Sequence, residues 1–466
     1  MGTKYREEKD TMGTVRVPET AYHGAQTQRA AENFTFSSLK FPPSFIKALG
    51  IIKKHAARVN LELGLIDSTL AGAIITAAEE LMDGELNDHF ILDIFQTGSG
   101  TSTNMNANEV IAGRANEILS GKRGGKTPVH PNDHVNLGQS SNDVIPSAIH
   151  IAALCAIKED LLPSMRTLHE SLMGKAEEFA DVRKIARTHL QDAVPISLGQ
   201  EFSGYARQVE LGVKRIQSVE DTLSELALGG TAVGTGINTH PEFASRVIAL
   251  IAQETGCPFK EALNHFEAQA AQDAVVETSG ALKTFAVSLI KIANDIRWLS
   301  SGPRCGLGEI EIPSLQPGSS IMPGKVNPVI PEAVIQAAAQ VIGNDTVITL
   351  SGQAGNFDLI VMLPVMAHNL LQSIDLMSTA SSGLAEKTIA GISANREKCT
   401  SYLEKSLALC TGLVPVIGYD KAAAIAKEAY RKGKTVREVA SDLKVLPEKE
   451  LNALIDKLIY GEIEER

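Results

Sequence analysis

The chain lacks any run of eighteen apolar residues, so no segment is long enough to cross a bilayer as a helix. Cysteine is sparse: Cys155, Cys257, Cys305, Cys399 and Cys410 are odd in number, far apart and include no C-x-x-C pair. That argues against a disulfide framework and against a zinc or iron–sulfur site; free thiols in a reducing compartment are expected, with no metal and no cofactor. Blocks of one charge are missing too. The 44 Lys plus Arg and 55 Asp plus Glu give a net charge of −11 spread along the chain, so neither nucleic acid nor an anionic membrane is an expected partner. Met1 to Asp10 carries no apolar signal-peptide core, and Arg6 stands where a myristoylation motif needs Ser or Thr. A soluble cytoplasmic protein is the expectation.

What is present is length and helical periodicity. A chain of 466 residues predicts two or three domains and a core that needs no staples. Residues 43–82 and about 106–119 read as helices. From Leu198 the apolar positions Phe202, Tyr205, Val209, Val213, Ile216, Val219, Leu223 and Leu226 recur in steps of three and four. Val275, Leu282, Phe285, Leu289, Ile292, Ile296 and Leu299 keep heptad spacing, interrupted by Thr278. Each run implies a helix roughly 40 Å long. Such helices need long partners, expected at about 147–180, 331–350 and 359–390, which makes a central five-helix bundle. Ala333, Ala337, Ala338 and Ala339 would permit close helix approach, within the chain or between subunits. Beyond Ala394 shorter helical pieces, with Gly418-Tyr419-Asp420 between them and a charged tail ending at Arg466, read as a small separate domain. The expected boundaries are 1–139, 140–394 and 395–466.

Polar loops punctuate this frame. Gly318-Ser319-Ser320-Ile321-Met322-Pro323-Gly324-Lys325-Val326-Asn327-Pro328 cannot be a regular helix, and it gathers two hydroxyls, a lysine and an amide just before a helix start near Pro331-Glu332. On composition alone it is equally an exposed connector. Thr97-Gly98-Ser99-Gly100-Thr101-Ser102-Thr103-Asn104 suits an anion at a helix N-terminus or an ordinary capped loop. Ser140-Ser141-Asn142 repeats that chemistry, and two such loops suggest a shared ligand. His130 and His134 have the spacing of a helical metal pair, but Pro131, Asn132 and Asp133 favour turns. His189, in Arg187-Thr188-His189-Leu190-Gln191-Asp192 ahead of Pro195, is expected at a helix entry. The glycines from Gly229 to Gly236 lack the Gly-Lys-Ser/Thr ending of a phosphate loop and are expected to follow a helix, as a packed turn.

Taken together these stretches resemble the fumarase/aspartase superfamily and, within it, the class II, iron-independent fumarases. The resemblance runs from Glu8-Lys9-Asp10-Thr11-Met12-Gly13 and Gly24-Ala25-Gln26-Thr27-Gln28-Arg29 to Ile417-Gly418-Tyr419-Asp420-Lys421-Ala422-Ala423. The loop 318–328 matches the signature G-S-S-x-M-P-x-K-x-N-P at every fixed position. Gly324, His189, His130 and His240-Pro241-Glu242 follow the fumarase pattern where aspartases typically differ. The implied fold is all-α in three domains, whose five-helix bundles assemble into a twenty-helix homotetramer core with active sites shared between subunits. The implied reaction is hydration of fumarate to L-malate; aspartate ammonia-lyase, or a non-catalytic scaffold of the same fold, are the alternatives.

The resemblance assigns roles. Ser319 is the base that takes the carbon-bound proton, assisted by Lys325 and local N–H donors, and Ser320 contributes a contact. His189 handles the departing hydroxyl through a water, with Glu332 orienting it or merely capping its helix. Lys325, Val326 and Asn327, with Ser140, Ser141 and Asn142, would hold one carboxylate as it becomes doubly charged. Ser99, Gly100, Thr101 and Thr188 would hold the other. His130, Pro131, Asn132 and Asp133 match a secondary dicarboxylate site, although Thr127 stands where relatives can carry arginine.

Overall fold

The computed structural model describes residues 4–461, so the end of the charged tail at Arg466 lies outside the described residues. The chain opens with an antiparallel hairpin, β1 (Tyr5–Asp10) against β2 (Gly13–Pro18), in which Tyr5 faces Pro18. Then come α1 (Ala25–Asn33), α2 (Pro43–Glu62), α3 (Ser68–Met82), α4 (Thr101–Ser120), α5 (Ser141–Ala156) and α6 (Leu162–Glu178). A second hairpin, β3 (Arg183–Thr188) with β4 (Gln191–Ser197), leads into α7 (Leu198–Ser218) and the single turn α8 (Glu220–Leu223). The two-residue strands β5 (Glu225–Leu226) and β6 (Lys260–Glu261) flank α9 (Phe243–Thr255), and α10 (His265–Ala270) precedes the long α11 (Asp273–Leu299), α12 (Val329–Gly352) and α13 (Leu363–Lys387). The chain ends in α14 (Arg396–Lys405), α15 (Cys410–Ile417), α16 (Tyr419–Lys432), α17 (Val436–Asp442) and α18 (Glu448–Tyr460).

Two compact units result. The first takes the chain up to Pro163 with Lys214–Ala286 and Ala338–Ser378; the second takes Ser164–Val213, Val287–Ala337 and the chain from Thr379. In the first unit α2 starts on Pro42-Pro43, where a missing N–H costs nothing, and buries Phe45, Leu49, Ile52, Ala56 and Val59 at helical spacing. They pack on α3, which Asp67 caps by accepting the Thr69 N–H and which contributes Ala71, Ile74, Ala78 and Leu81. Burying each such leucine or isoleucine stabilises the fold by roughly 1.5–3 kcal/mol. Polar ties fix the helix pairs further along. Ser279 on α11 reaches Asp345 on α12 at 2.9 Å, and Asn344 donates to Gln372 and Ser373 on α13 at 2.9 and 3.0 Å.

In the second unit Phe202, Tyr205 and Val209 of α7 are buried, as are Leu289, Ile292 and Ile296 of α11, and the Tyr205 hydroxyl donates to Asp295 at 3.0 Å. Leu403, Leu409, Leu413, Ile425, Val439, Leu451 and Ile455 form a separate small core among the C-terminal helices.

The heptad reading holds residue by residue: all seven apolar positions from Val275 to Leu299 are buried. Thr278 does not disturb the helix because its hydroxyl returns a hydrogen bond to Ala274 O at 2.7 Å. Three expectations are corrected. Residues 187–192 are the tip of the β3–β4 hairpin, not a helix entry; His189 and Leu190 both have positive φ, 55° and 60°, as a two-residue type I′ turn demands. Second, α4 begins at Thr101, five residues before Asn106, because Gly100 at φ 74° turns the chain directly into it. The glycine stretch after Gly229 follows the strand Glu225–Leu226 rather than a helix, and it is a hydrogen-bonded turn.

Candidate active site

In the first unit two helices offer their N-termini side by side. Gly98 carries the chain so close to residue 361 that a Cβ there would lie 1.9 Å from the Val361 carbonyl oxygen, and its own carbonyl accepts the Leu363 N–H at 2.9 Å. That clamp sets Ser99 and Thr101 at the start of α4. The hydroxyls of Ser99 and Thr101 are 2.8 Å apart, and Thr101 Oγ1 is 2.7 Å from Ser141 Oγ at the start of α5. The two loops read separately in the sequence thus form one hydroxyl chain over two helix ends, where N–H groups and dipoles favour an anion.

Below them lies an arrangement of buried charge. Ser140 caps α5 in a capping box with Asp143. Asp143 is fully buried and accepts N–H groups from Ser140, Gly229 and Thr231 at 2.9, 3.0 and 2.9 Å, while Asn142 donates to Ala232 O at 2.7 Å. The glycine turn is therefore hung on the first turn of α5. Lys53, buried on α2, donates to Asn136 Oδ1 at 3.0 Å and Gln139 Oε1 at 2.9 Å, and Asn104 and Asn108 of α4 donate to the same Asn136 oxygen. Burial pulls the Lys53 ammonium down to about 7, opposed by Asp143. Burial likewise lifts Asp143 to about 6, against the pull of the three N–H donors and of Lys53.

The second unit carries the proton-transfer candidates. Ser319 Oγ accepts the N–H groups of Ile321 and Met322 at 3.2 and 3.0 Å. The loop closes on itself: Gly318 N–H donates to Lys325 O at 2.7 Å, and Asn327 Nδ2 donates to Gly318 O at 2.7 Å. A Cβ on Gly318 would sit 2.6 Å from that Lys325 oxygen, so only glycine allows the closure. Residues 320–326 form an exposed crown. Asn327 therefore braces the loop with the amide expected to hold substrate. Glu332 lies in the first turn of α12.

Thr188 and His189 are exposed at the hairpin tip. The hairpin is held from beneath by Arg187, whose guanidinium makes a two-pronged bond to Glu309 at 2.9 Å on each arm, and by Lys184, 2.8 Å from Glu201. Glu309 and Lys184 are almost wholly buried. Burial opposes the Arg187 charge, but the Glu309 hydrogen bonds raise its pKa above the ordinary value. No hydrogen bond joins His189 to Glu332 among the described residues.

His130, Pro131, Asn132 and Asp133 stand apart as a wide helical turn, Pro131–Val135. His130 Nδ1 accepts the Asn132 and Asp133 N–H groups at 3.2 and 3.1 Å, and His134 Nδ1 accepts the His130 N–H at 2.9 Å. Both rings thus spend one nitrogen on the backbone, as caps, which explains their spacing without a metal.

Comparison with known proteins gives this arrangement a family. A profile described as lyase matches residues 13–343, and one described as fumarase C C-terminus matches residues 409–458. The class II fumarate hydratase of Nitrosomonas europaea is 54% identical over 97% of this chain and 98% of its own. The chain belongs to the class II fumarate hydratase family. Another family member, from Halobacterium salinarum, is 56% identical over 98% of this chain and 97% of its own. Among solved structures, class II fumarase from Schistosoma mansoni superposes with a TM-score of 0.94 at 40% identity, covering 98% of this chain and 99% of that one. Fumarate lyase:delta crystallin from Brucella melitensis gives 0.93 at 45% identity, covering 99% and 100%.

In each unit the candidate residues rest on buried polar groups that the sequence does not announce. Lys53, Asp143 and the Arg187–Glu309 pair were not singled out. The signal for Lys53 was available: it lies four residues after Leu49 and three before Ala56, on the apolar face of α2, where a lysine has no solvent to reach. Asp143 was visible as the third residue after Ser140, the acid of a capping box. Nothing in the sequence pairs Arg187 with Glu309, 122 residues away.

Proposed function

We propose that the chain is a fumarate hydratase, adding water to fumarate to give L-malate and removing it again by anti addition and elimination. The observation that carries the mechanism is Ser319. Its oxygen accepts two backbone N–H groups at 3.0–3.2 Å and so is prepared to bear the negative charge of an alkoxide, which a serine acting as base requires. Ser319 takes the proton from the carbon next to a carboxylate of malate. The charge passes into that carboxylate as an aci-carboxylate, and Lys325, Asn142 and Ser140 stabilise it. His189 protonates the departing hydroxyl through a water, and Glu332 fixes its charge and orientation. The hydroxyls of Ser99, Thr101, Ser141 and Thr188, with the backbone at Gly100, Ser320 and Val326, hold the four-carbon dianion.

The active assembly in this reading is a homotetramer in the cytoplasm. In this reading the groups of each site come from more than one subunit. The three domains 1–139, 140–394 and 395–466 and a secondary dicarboxylate site at His130–Asp133 belong to the same proposal. No helix among the described residues is long and apolar enough to cross a membrane. The test is direct. Purified protein is offered L-malate and L-aspartate in turn while the ultraviolet absorbance of the fumarate double bond is followed. Fumarate from malate alone supports hydratase activity; ammonia and fumarate from aspartate would make the chain an aspartase; inertness to both would leave a scaffold.

A further inference from the structure

The five cysteines, scattered in sequence, are not equivalent in space. Cys155 lies one residue before the C-terminal end of α5, and Cys257 just beyond α9, 102 residues later; their sulfurs are 3.9 Å apart. No other two cysteines lie within hydrogen-bonding distance of each other among the described residues. Cys155 is half-buried and faces a cavity of about 470 Å³ lined by Lys47, Ile51, Met82, Glu159 and Thr255, whereas Cys257 is buried. The pair has a route to solvent for a small oxidant and a protected partner behind it. Cys399 and Cys410 are buried singly, and burial pushes their thiols up to about 12 and about 11, into the inert range. Cys305 is exposed.

We infer that Cys155 and Cys257 are a redox modification site that closes reversibly to a disulfide when a peroxide enters the cavity. This stands apart from the hydratase reading, since neither thiol belongs to its machinery. Closing the bond shortens the contact from 3.9 Å to the roughly 2.05 Å of an S–S bond. Its electrostatics support the first step. Cys257 is drawn down to about 7, first by the hydrogen bond from Cys155 and then, against burial, by Lys158 and Thr255, while the Cys155 thiol is pushed up. The neighbouring Cys155 thiol thus favours ionisation of Cys257 within the pair.

The thiolate attacks one peroxide oxygen and becomes S–OH as the O–O bond breaks; the leaving hydroxide takes up a proton as water. The second sulfur then attacks the S–OH sulfur and forms the S–S bond. Hydroxide leaves, collects that sulfur's proton and becomes a second water. Two thiols and one hydrogen peroxide give one disulfide and two waters, with two electrons passing from the sulfurs to the peroxide.

The folded protein, in a Cys305→Ser background, is treated with hydrogen peroxide, then alkylated, digested without reduction and mapped by mass. The expected product is one cross-linked peptide pair joining Cys155 to Cys257, two hydrogens lighter than the sum of its parts. It is absent from Cys155→Ser, lost on treatment with dithiothreitol, and accompanied by a melting temperature a few degrees higher, since the bond closes a long loop. Recovery of both cysteines alkylated, or of sulfenic and sulfinic acids without the cross-link, overturns the proposal. So does an equal cross-link yield from protein oxidised in denaturant, which would show that the fold does not prepare the pair.

Discussion

The hydroxyl loops of the first unit and the Ser319 loop of the second are both polar loops at helix starts, yet they are built on opposite plans. Thr101 and Ser141 rest on α4 and α5, whose first turns are braced by the buried Lys53 and Asp143 and by Asn136. Ser319 sits in a loop closed by its own backbone, with an exposed crown and no buried charge in its ring of bonds. The contrast separates two tasks. A carboxylate-binding surface gains from donors fixed before substrate arrives, because no reorganisation is then charged to binding. A base that must approach a carbon acid gains from a segment that moves as a unit, with its charge-stabilising N–H donors travelling along.

The strongest test falls on the Ser319 loop. Ser319→Ala should lower kcat by roughly 10²-fold or more and leave the circular dichroism and assembly unchanged, because the loop's closing bonds do not use that hydroxyl. His189→Asn is expected to act on the same scale, since the hairpin is held by Arg187 and Glu309 and not by the histidine. Wild-type turnover in either purified variant would remove that residue from the mechanism.

The braced side predicts the reverse pattern, with stability lost before chemistry. Lys53→Met strips the Nζ donor from Asn136 and Gln139, which should cost about 1–3 kcal/mol of unfolding free energy. Denaturant titration checks this; a change under 1 kcal/mol would mean that the loop holds without the lysine. The pH dependence has a definite sign. The folded pKa of Lys53, about 7, is depressed from 10.5, so its contribution is present above the unfolded value and is lost as pH falls through 7. For Asp143, raised to about 6 from 3.8, stability is present below 3.8 and lost as pH rises through 6. The stability of wild type relative to Lys53→Met should therefore climb between pH 7 and about 10, and a flat difference would show that Lys53 is not strained by burial.

These two sides also differ in how far the sequence exposes them. Long helices are legible because apolar periodicity is a repeated signal: Val275 through Leu299 state one face seven times over, and all seven are buried. The Ser319 loop is legible because prolines and glycines forbid regular structure and its signature is dense. A single turn has no such redundancy. His189-Leu190 supplies none of the Asn or Gly that announces a type I′ turn, so the hairpin was hidden behind the helix that follows Pro195. Buried charge is hidden for another reason: Lys53 reads as one polar residue among apolar ones until Asn136 and Gln139, more than 80 residues away, supply its partners. Whatever depends on long-range pairing of single residues is invisible to patterns that rely on local repetition.

Smaller effects sharpen the same contrast, one in each set of loops. Gly318→Ala should open the clasp of the Ser319 loop and lower kcat about tenfold, since its Cβ would displace the Lys325 carbonyl. Thr101→Val, by comparison, keeps the shape of the α4 start and removes only the hydroxyl between Ser99 and Ser141. Ser141 is partly exposed but Ser99 is buried, so the stability loss should be about 1–2 kcal/mol. The substrate, however, would meet two hydroxyls no longer held in line, and KM for malate should rise severalfold while kcat changes little, because a fixed ground-state contact is lost rather than one made in the transition state. If kcat falls as far as KM rises, the hydroxyl chain belongs with the proton-transfer machinery, and the division between a binding surface and a separate base must be redrawn.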